Sequence, residues 1–177
     1  MLSLRSFLAA TLVLGVSALP AACDGGGGLS LEEYFQKVDA IGDETDQQGD
    51  EADRLLDDFD PSAPAEEQIA AFQAYAEALV ALVRDFHDRL AEIDPPEEVA
   101  DSHDEWVGQV GEYLELVEEV GDRVADVEST EDVERLGNEL FGSPEATDLF
   151  SRVDQTCQEL QGIADDNGVE VDMECGE

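Results

Sequence analysis

"PAEEQIAAFQAYAEALVALVRDFHDRLAEIDPP", residues 64–96, decides the fold. Apolar residues recur at Ile69 (or Gln68), Phe72, Ala76, Leu79, Val83, Phe86, Leu90 and Ile93, steps of three and four that keep one face of a helix inward. "DPSAP" at 60–64 punctuates the chain before it, and "DPP" at 94–96 ends it, because a residue before proline is pushed out of the helical region. The spacing therefore predicts a helix from Pro64 to Ile93 with proline-bounded turns on both sides.

Working outward from this stretch, the same period appears upstream and downstream. Ser30 with Glu33 forms a capping-box signature, and Leu31, Phe35, Val38, Gly42, Thr45, Gly49, Ala52, Leu56 and Phe59 continue it as an inward stripe. Gly42 and Gly49 each cost about 1 kcal/mol relative to alanine in a helix, so a bend or break is expected between them. A third helix is expected to start with Pro96 and Glu97, with Val99, His103, Trp106, Val110, Tyr113, Val117, Val120, Val124 and Val127 inward. "STED" at 129–132 reads as an N-cap for a short helix carrying Val133, Leu136 and Leu140. "GSP" at 142–144 breaks and restarts the chain, with Ser143 as cap, Pro144 in the first turn, and Leu149, Phe150, Val153, Cys157, Leu160 and Ile163 following. Asn167 and Gly168 close that helix. The expected fold is all-α: an antiparallel bundle of three long helices plus a broken fourth, with a short extended C-terminal tail.

The start of the chain has a different character. Met1 to Arg5 supply a short positive segment, Phe7 to Leu19 form an uncharged apolar core of 13 residues, and Ala21 and Ala22 precede Cys23. That core is shorter than the roughly 20 residues a membrane-spanning helix needs. The segment resembles the lipobox of bacterial lipoproteins, in which a small-residue run ends at a cysteine that is cut free and acylated. It departs from that pattern at Pro20, where leucine is favoured; Leu19 stands one place earlier. The resemblance implies a signal peptide over 1–22, a lipidated Cys23 heading a glycine-rich tether over 23–29, a bundle over 30–177, and a place at a membrane facing outside the cytoplasm. The alternative is a plainly secreted product with a spare thiol at position 23.

With Cys23 assigned to lipid, Cys157 and Cys175 remain as an even pair in a chain that has left the reducing cytosol. Nine helical steps beyond Cys157 climb about 13 Å, and seven extended steps back from Gly168 reach up to about 24 Å, so the tail can return and pin itself. A disulfide is expected there; the alternative is two free thiols.

The 177 residues hold 46 acidic against 8 basic side chains, a net charge of −38, and Lys37 is the only lysine. Such a surface lacks the basic footprint that nucleic acid requires, and it repels anionic lipid headgroups. It suits a basic protein or peptide, or divalent cations at low affinity; salt adaptation gives the same composition.

Chemistry-bearing motifs are tested by spacing. An EF-hand loop aligned on Gly168 finds Asp165, Asn167 and Glu174 but has Ile163 where the first acid is required, and one aligned on Gly49 ends at Leu55. Di-iron bundles need glutamate three places before histidine; Arg84 precedes His87 and Ala100 precedes His103 at that spacing. Zinc-protease, nucleophile-elbow and phosphate-loop patterns have no counterpart, so no catalytic residue, cofactor or metal is assigned. His103, on the apolar stripe near Trp106 and flanked by Asp101 and Asp104, is the weak candidate for a ligand or pH sensor, against a hydrogen-bonded core histidine. The function expected is that of a non-catalytic, membrane-anchored binding module.

Overall fold

The computed structural model describes residues 28–57, 62–173 and 175, without the side chains of residues 57, 134, 140 and 141. The leader, Cys23, most of the tether and Phe59 lie outside the described residues, as does the side chain of Leu140. Helices α1 (Leu31–Asp57), α2 (Ala65–Ala91), α3 (Ala100–Ala125), α4 (Thr130–Phe141) and α5 (Pro144–Asp166) follow in order, with no strand among the described residues.

α1 opens on the expected capping box. The Ser30 hydroxyl accepts the Glu33 N–H at 3.3 Å, and Glu33 Oε2 accepts the Ser30 N–H at 2.9 Å. The helix then runs unbroken through Gly42 and Gly49, so the break that these glycines suggested does not occur. Packing overrides propensity here: Tyr34, Phe35, Val38 and Ile41 bury one half of the helix and Ala52 the other. Tyr34 and Ile41 stand outside the stripe assigned from sequence, and both are core residues.

α3 also departs from expectation, beginning at Ala100 rather than at Pro96. Residues 97–99 form a turn in which the Pro96 carbonyl accepts the Val99 N–H at 3.1 Å. Val99 is driven into the core at 1% exposure, and it caps the helix without a side-chain hydrogen bond. Ser129 and Ser143 cap α4 and α5 as read, accepting the N–H groups of Asp132 and Ala146. The broken fourth helix thus resolves into a short α4 laid on α2 and α3 and a full-length α5 on α3.

Neighbouring helices run antiparallel: Glu44 of α1 meets Arg89 of α2, Gly111 of α3 meets His87 of α2, and Glu112 of α3 meets Arg152 of α5. At one pole the first half of α1, the end of α2, the start of α3 and the end of α5 share a core built on Tyr34, Phe35, Leu90, Trp106 and Leu160. At the other pole Ala76, Val120, Val124 and Leu136 form a smaller one.

Gly168, at φ +70°, turns the chain out of α5. The tail then folds back so that Val169, Val171 and Met173 pack on the larger core. Cys157 and Cys175 form a disulfide with Cα atoms 5.7 Å apart. The Gln161 amide clamps the tail from the side, donating to the Val171 carbonyl at 3.0 Å and accepting the Met173 N–H at 2.9 Å.

Candidate functional site

His103 is 2% exposed and joins three helices. The Leu90 carbonyl at the end of α2, which accepts the Ile93 N–H at 3.0 Å, lies toward the imidazole and favours its charged form. His103 Nδ1 and the Tyr34 hydroxyl are hydrogen-bonded at 3.1 Å. Burial holds the histidine below its ordinary pKa, opposed in part by the Asp104 charge and the Leu90 carbonyl. Burial likewise raises the pKa of the Tyr34 hydroxyl, which therefore stays protonated. His103 is thus tied inside the core through Nδ1 to Tyr34 of α1.

Four of the seven lysine and arginine side chains among the described residues bridge helices. Arg84 bonds Glu118 across α2 and α3, Arg89 bonds Glu44 across α2 and α1, and Arg152 bonds Glu112 across α5 and α3, each at 2.7 Å. Arg123 reaches Glu139 of α4 at 3.2 Å. The Arg152 guanidinium holds the Glu112 carboxyl below its usual range. Exposed pairs of this kind contribute little individually. They leave a predominance of acids elsewhere on the surface, and among the described residues no group of three or more His, Cys, Asp or Glu side chains is placed to hold a metal ion.

Self-repulsion at this charge is relieved by screening. The melting temperature is expected to rise steadily from about 0.05 to 1 M sodium chloride, over which the Debye length shrinks from more than 10 Å to about 3 Å. Millimolar calcium should do no more than magnesium. A fall with added salt would show instead that the arginine seams outweigh the repulsion.

One concave feature combines acids with an aromatic floor. A groove of about 500 Å³ lies between α1 and the returning tail, lined by Val38, Asp39, Gly42, Asp43, Thr45, Asp46, Phe86, Trp106, Asp172 and Met173. Phe86 and Trp106 meet edge to face with centroids 5.9 Å apart. Trp106 is 7% exposed, and its indole N–H has no hydrogen-bond partner among the described residues. A Cβ added at Gly42 would meet nothing within 4 Å, so the glycine leaves the groove open on the α1 side.

Of the residues singled out from sequence, Trp106 reaches this groove while His103 does not line it. Cys157 and Cys175 pin the tail that forms one of its walls. The sequence reading missed Gly42, Phe86, Asp172 and Met173 as groove residues. A usable signal existed in α1, where its stripe passes from Val38 to Gly42, Thr45 and Gly49 and loses bulk opposite two aromatic side chains.

No described helix is long and apolar enough to cross a membrane. Comparison with protein-family models, with curated proteins and with solved structures finds no match.

Proposed function

We propose that the chain is a lipoprotein, held at a membrane by an acylated Cys23 and facing away from the cytoplasm, whose acidic bundle is a non-catalytic binding module for a cationic partner. The observation that carries this reading is the Cys157–Cys175 disulfide, which closes an 18-residue interval and seats the tail on the core. Such bonds form and persist in oxidising compartments, where a leader ending at Cys23 would deliver the chain. The charge argues in the same direction. A surface of net charge −38 has no attraction for anionic headgroups, so membrane residence needs a covalent anchor. One acyl chain binds only marginally, whereas the two or three that lipoprotein processing adds give stable anchoring. A concave, acid-rimmed groove supports the binding role.

The test is expression of the full chain in bacteria with lipoprotein processing, fed a clickable palmitate analogue. The wild type should label, and its intact mass should begin at residue 23 with acyl groups added. A Cys23→Ala variant should carry no label. An unacylated residue 23 in the wild type, or equal labelling of the variant, would overturn the anchor.

A further inference from the structure

We propose that Asn167–Gly168 is a site of self-modification, where the Gly168 amide nitrogen closes on the Asn167 side chain to form a succinimide, and that the Cys157–Cys175 disulfide holds it shut. The proposal is independent of the membrane anchor and of the binding role.

The sequence supplies the reactants. Attack on a side-chain amide by the next residue's backbone nitrogen closes a five-membered ring, and glycine leaves that nitrogen unhindered because it has no side chain. The chain holds two asparagines, Asn138 and Asn167, and of these Asn167 precedes a glycine. The Gly168 nitrogen gives up its proton and bonds Asn167 Cγ, the bond from Cγ to the side-chain nitrogen breaks, and ammonia leaves with that proton. Water then opens the ring at one of its two carbonyls, giving aspartate or isoaspartate. Both residues are exposed, so water and base reach them.

The fold supplies the restraint. Ring closure needs the Gly168 nitrogen eclipsed with Cβ about the Asn167 Cα–C bond, whereas at ψ 1° it is eclipsed with the Asn167 nitrogen instead. Asn167 Nδ2 donates to the Ile163 carbonyl at 2.8 Å, which turns the side chain back along α5. The Gly168 N–H, which must lose its proton, donates to the Asp165 carbonyl at 3.1 Å, and the Val169 N–H donates to the Ala164 carbonyl at 2.9 Å, the paired bonds of a Schellman cap. These bonds last while Gly168 keeps its φ of +70° and the chain beyond it lies on the core. Val169 and Val171 hold it there by packing, Gln161 by two hydrogen bonds, and the disulfide covalently. A dithiol reductant removes the covalent part by exchange, becoming a disulfide itself while Cys157 and Cys175 return to thiols. The cap then opens locally, without global unfolding.

Conversion outlasts the reduction. Either product adds a negative charge beside Asp165 and Asp166 at the negative end of α5. Isoaspartate also adds a methylene to the backbone between the helix and the tail, so a converted tail reseats poorly on the core.

The full-length protein, purified in detergent, is incubated at mildly alkaline pH as oxidised wild type, as wild type with dithiothreitol, and as a Cys175→Ser variant. Peptide mapping that separates aspartate from isoaspartate follows residue 167, with Asn138 as the internal control. Asn167 should convert at least tenfold faster in the reduced protein and in the variant than in the oxidised wild type, with isoaspartate among the products. The rate should rise with pH, because the attacking group is the deprotonated amide. A Leu136→Ala variant opens a cavity in the smaller core and leaves the disulfide in place. Oxidised, it should convert no faster than the oxidised wild type. Reoxidised chains carrying isoaspartate should melt below reoxidised chains that still carry asparagine. Equal rates with and without the disulfide would overturn the proposal, as would the absence of isoaspartate from the reduced protein. Acceleration in Leu136→Ala equal to that in Cys175→Ser would make global unfolding the cause and overturn it as well. Equal melting of the two reoxidised forms would overturn the lasting effect.

Discussion

A Cys175→Ser variant is expected to lose about 3 kcal/mol of stability against denaturant, the value the chain-entropy account gives for a loop of this length. The bond joins Cys157, in the buried face of α5, to a tail whose Val169, Val171 and Met173 cover the larger core. Opening it frees the tail in the unfolded ensemble and loosens that cover in the folded one. Gln161 still holds the tail backbone through two hydrogen bonds, so the variant should fold, with partial rather than complete exposure of the pole. Equilibrium unfolding in urea, with and without reductant, checks this: reductant should destabilise the wild type and leave the variant unchanged. A difference below about 1 kcal/mol would mean that the tail lies outside the cooperative unit.

The second large effect is at the tie between α1, α2 and α3. Tyr34→Phe removes the hydroxyl bonded to His103 Nδ1 and leaves that buried nitrogen unpaired, a loss of about 1–3 kcal/mol. The same contact makes stability depend on pH. Burial depresses the folded-state pKa of His103, so the unfolded chain takes up the proton first. The contribution is therefore intact above the unfolded value of about 6.5 and is lost as pH falls below it, by up to about 1.4 kcal/mol per unit. Glu33, Glu112 and Asp132 are held below their usual range by Ser30, Arg152 and Ser129, and they act lower down, where carboxylates protonate. His103→Gln keeps a group that can donate to or accept from Tyr34 without titrating. Unfolding at pH 7.5 and 5.5 should show the wild type losing stability relative to this variant. Parallel behaviour of the two would refute the assignment.

How much of this was legible in the sequence follows the reach of each interaction. Stripes at helical spacing placed the long helices, and the serines at 30, 129 and 143 marked their starts, because caps act within three residues. The start of α3 was not legible, since Val99 has no capping side chain and is fixed by burial under the other helices. Where the glycines of α1 suggested a break the helix continues, for the same reason: propensity is local, and the packing that overrides it is not. His103 was singled out from its place on a stripe, yet its meaning lies in Tyr34, 69 residues away. The cysteine pair could be inferred by counting and reach. The groove could not, because it exists only once the tail has returned to stand beside Phe86 and Trp106.

The tail's return also fixes where things can be attached. Ser30 and Leu31 line one shallow pocket together with Asn167, Gly168 and Val169, so α1 begins and α5 ends at a single pole. The link between α1 and α2 lies at the opposite pole, about 40 Å away along a 27-residue helix. A reporter domain spliced at Ser62 or Ala63 would project clear of the entry point. Stretching the molecule between residues 30 and 175 would load the disulfide-held pole first and leave the far end slack.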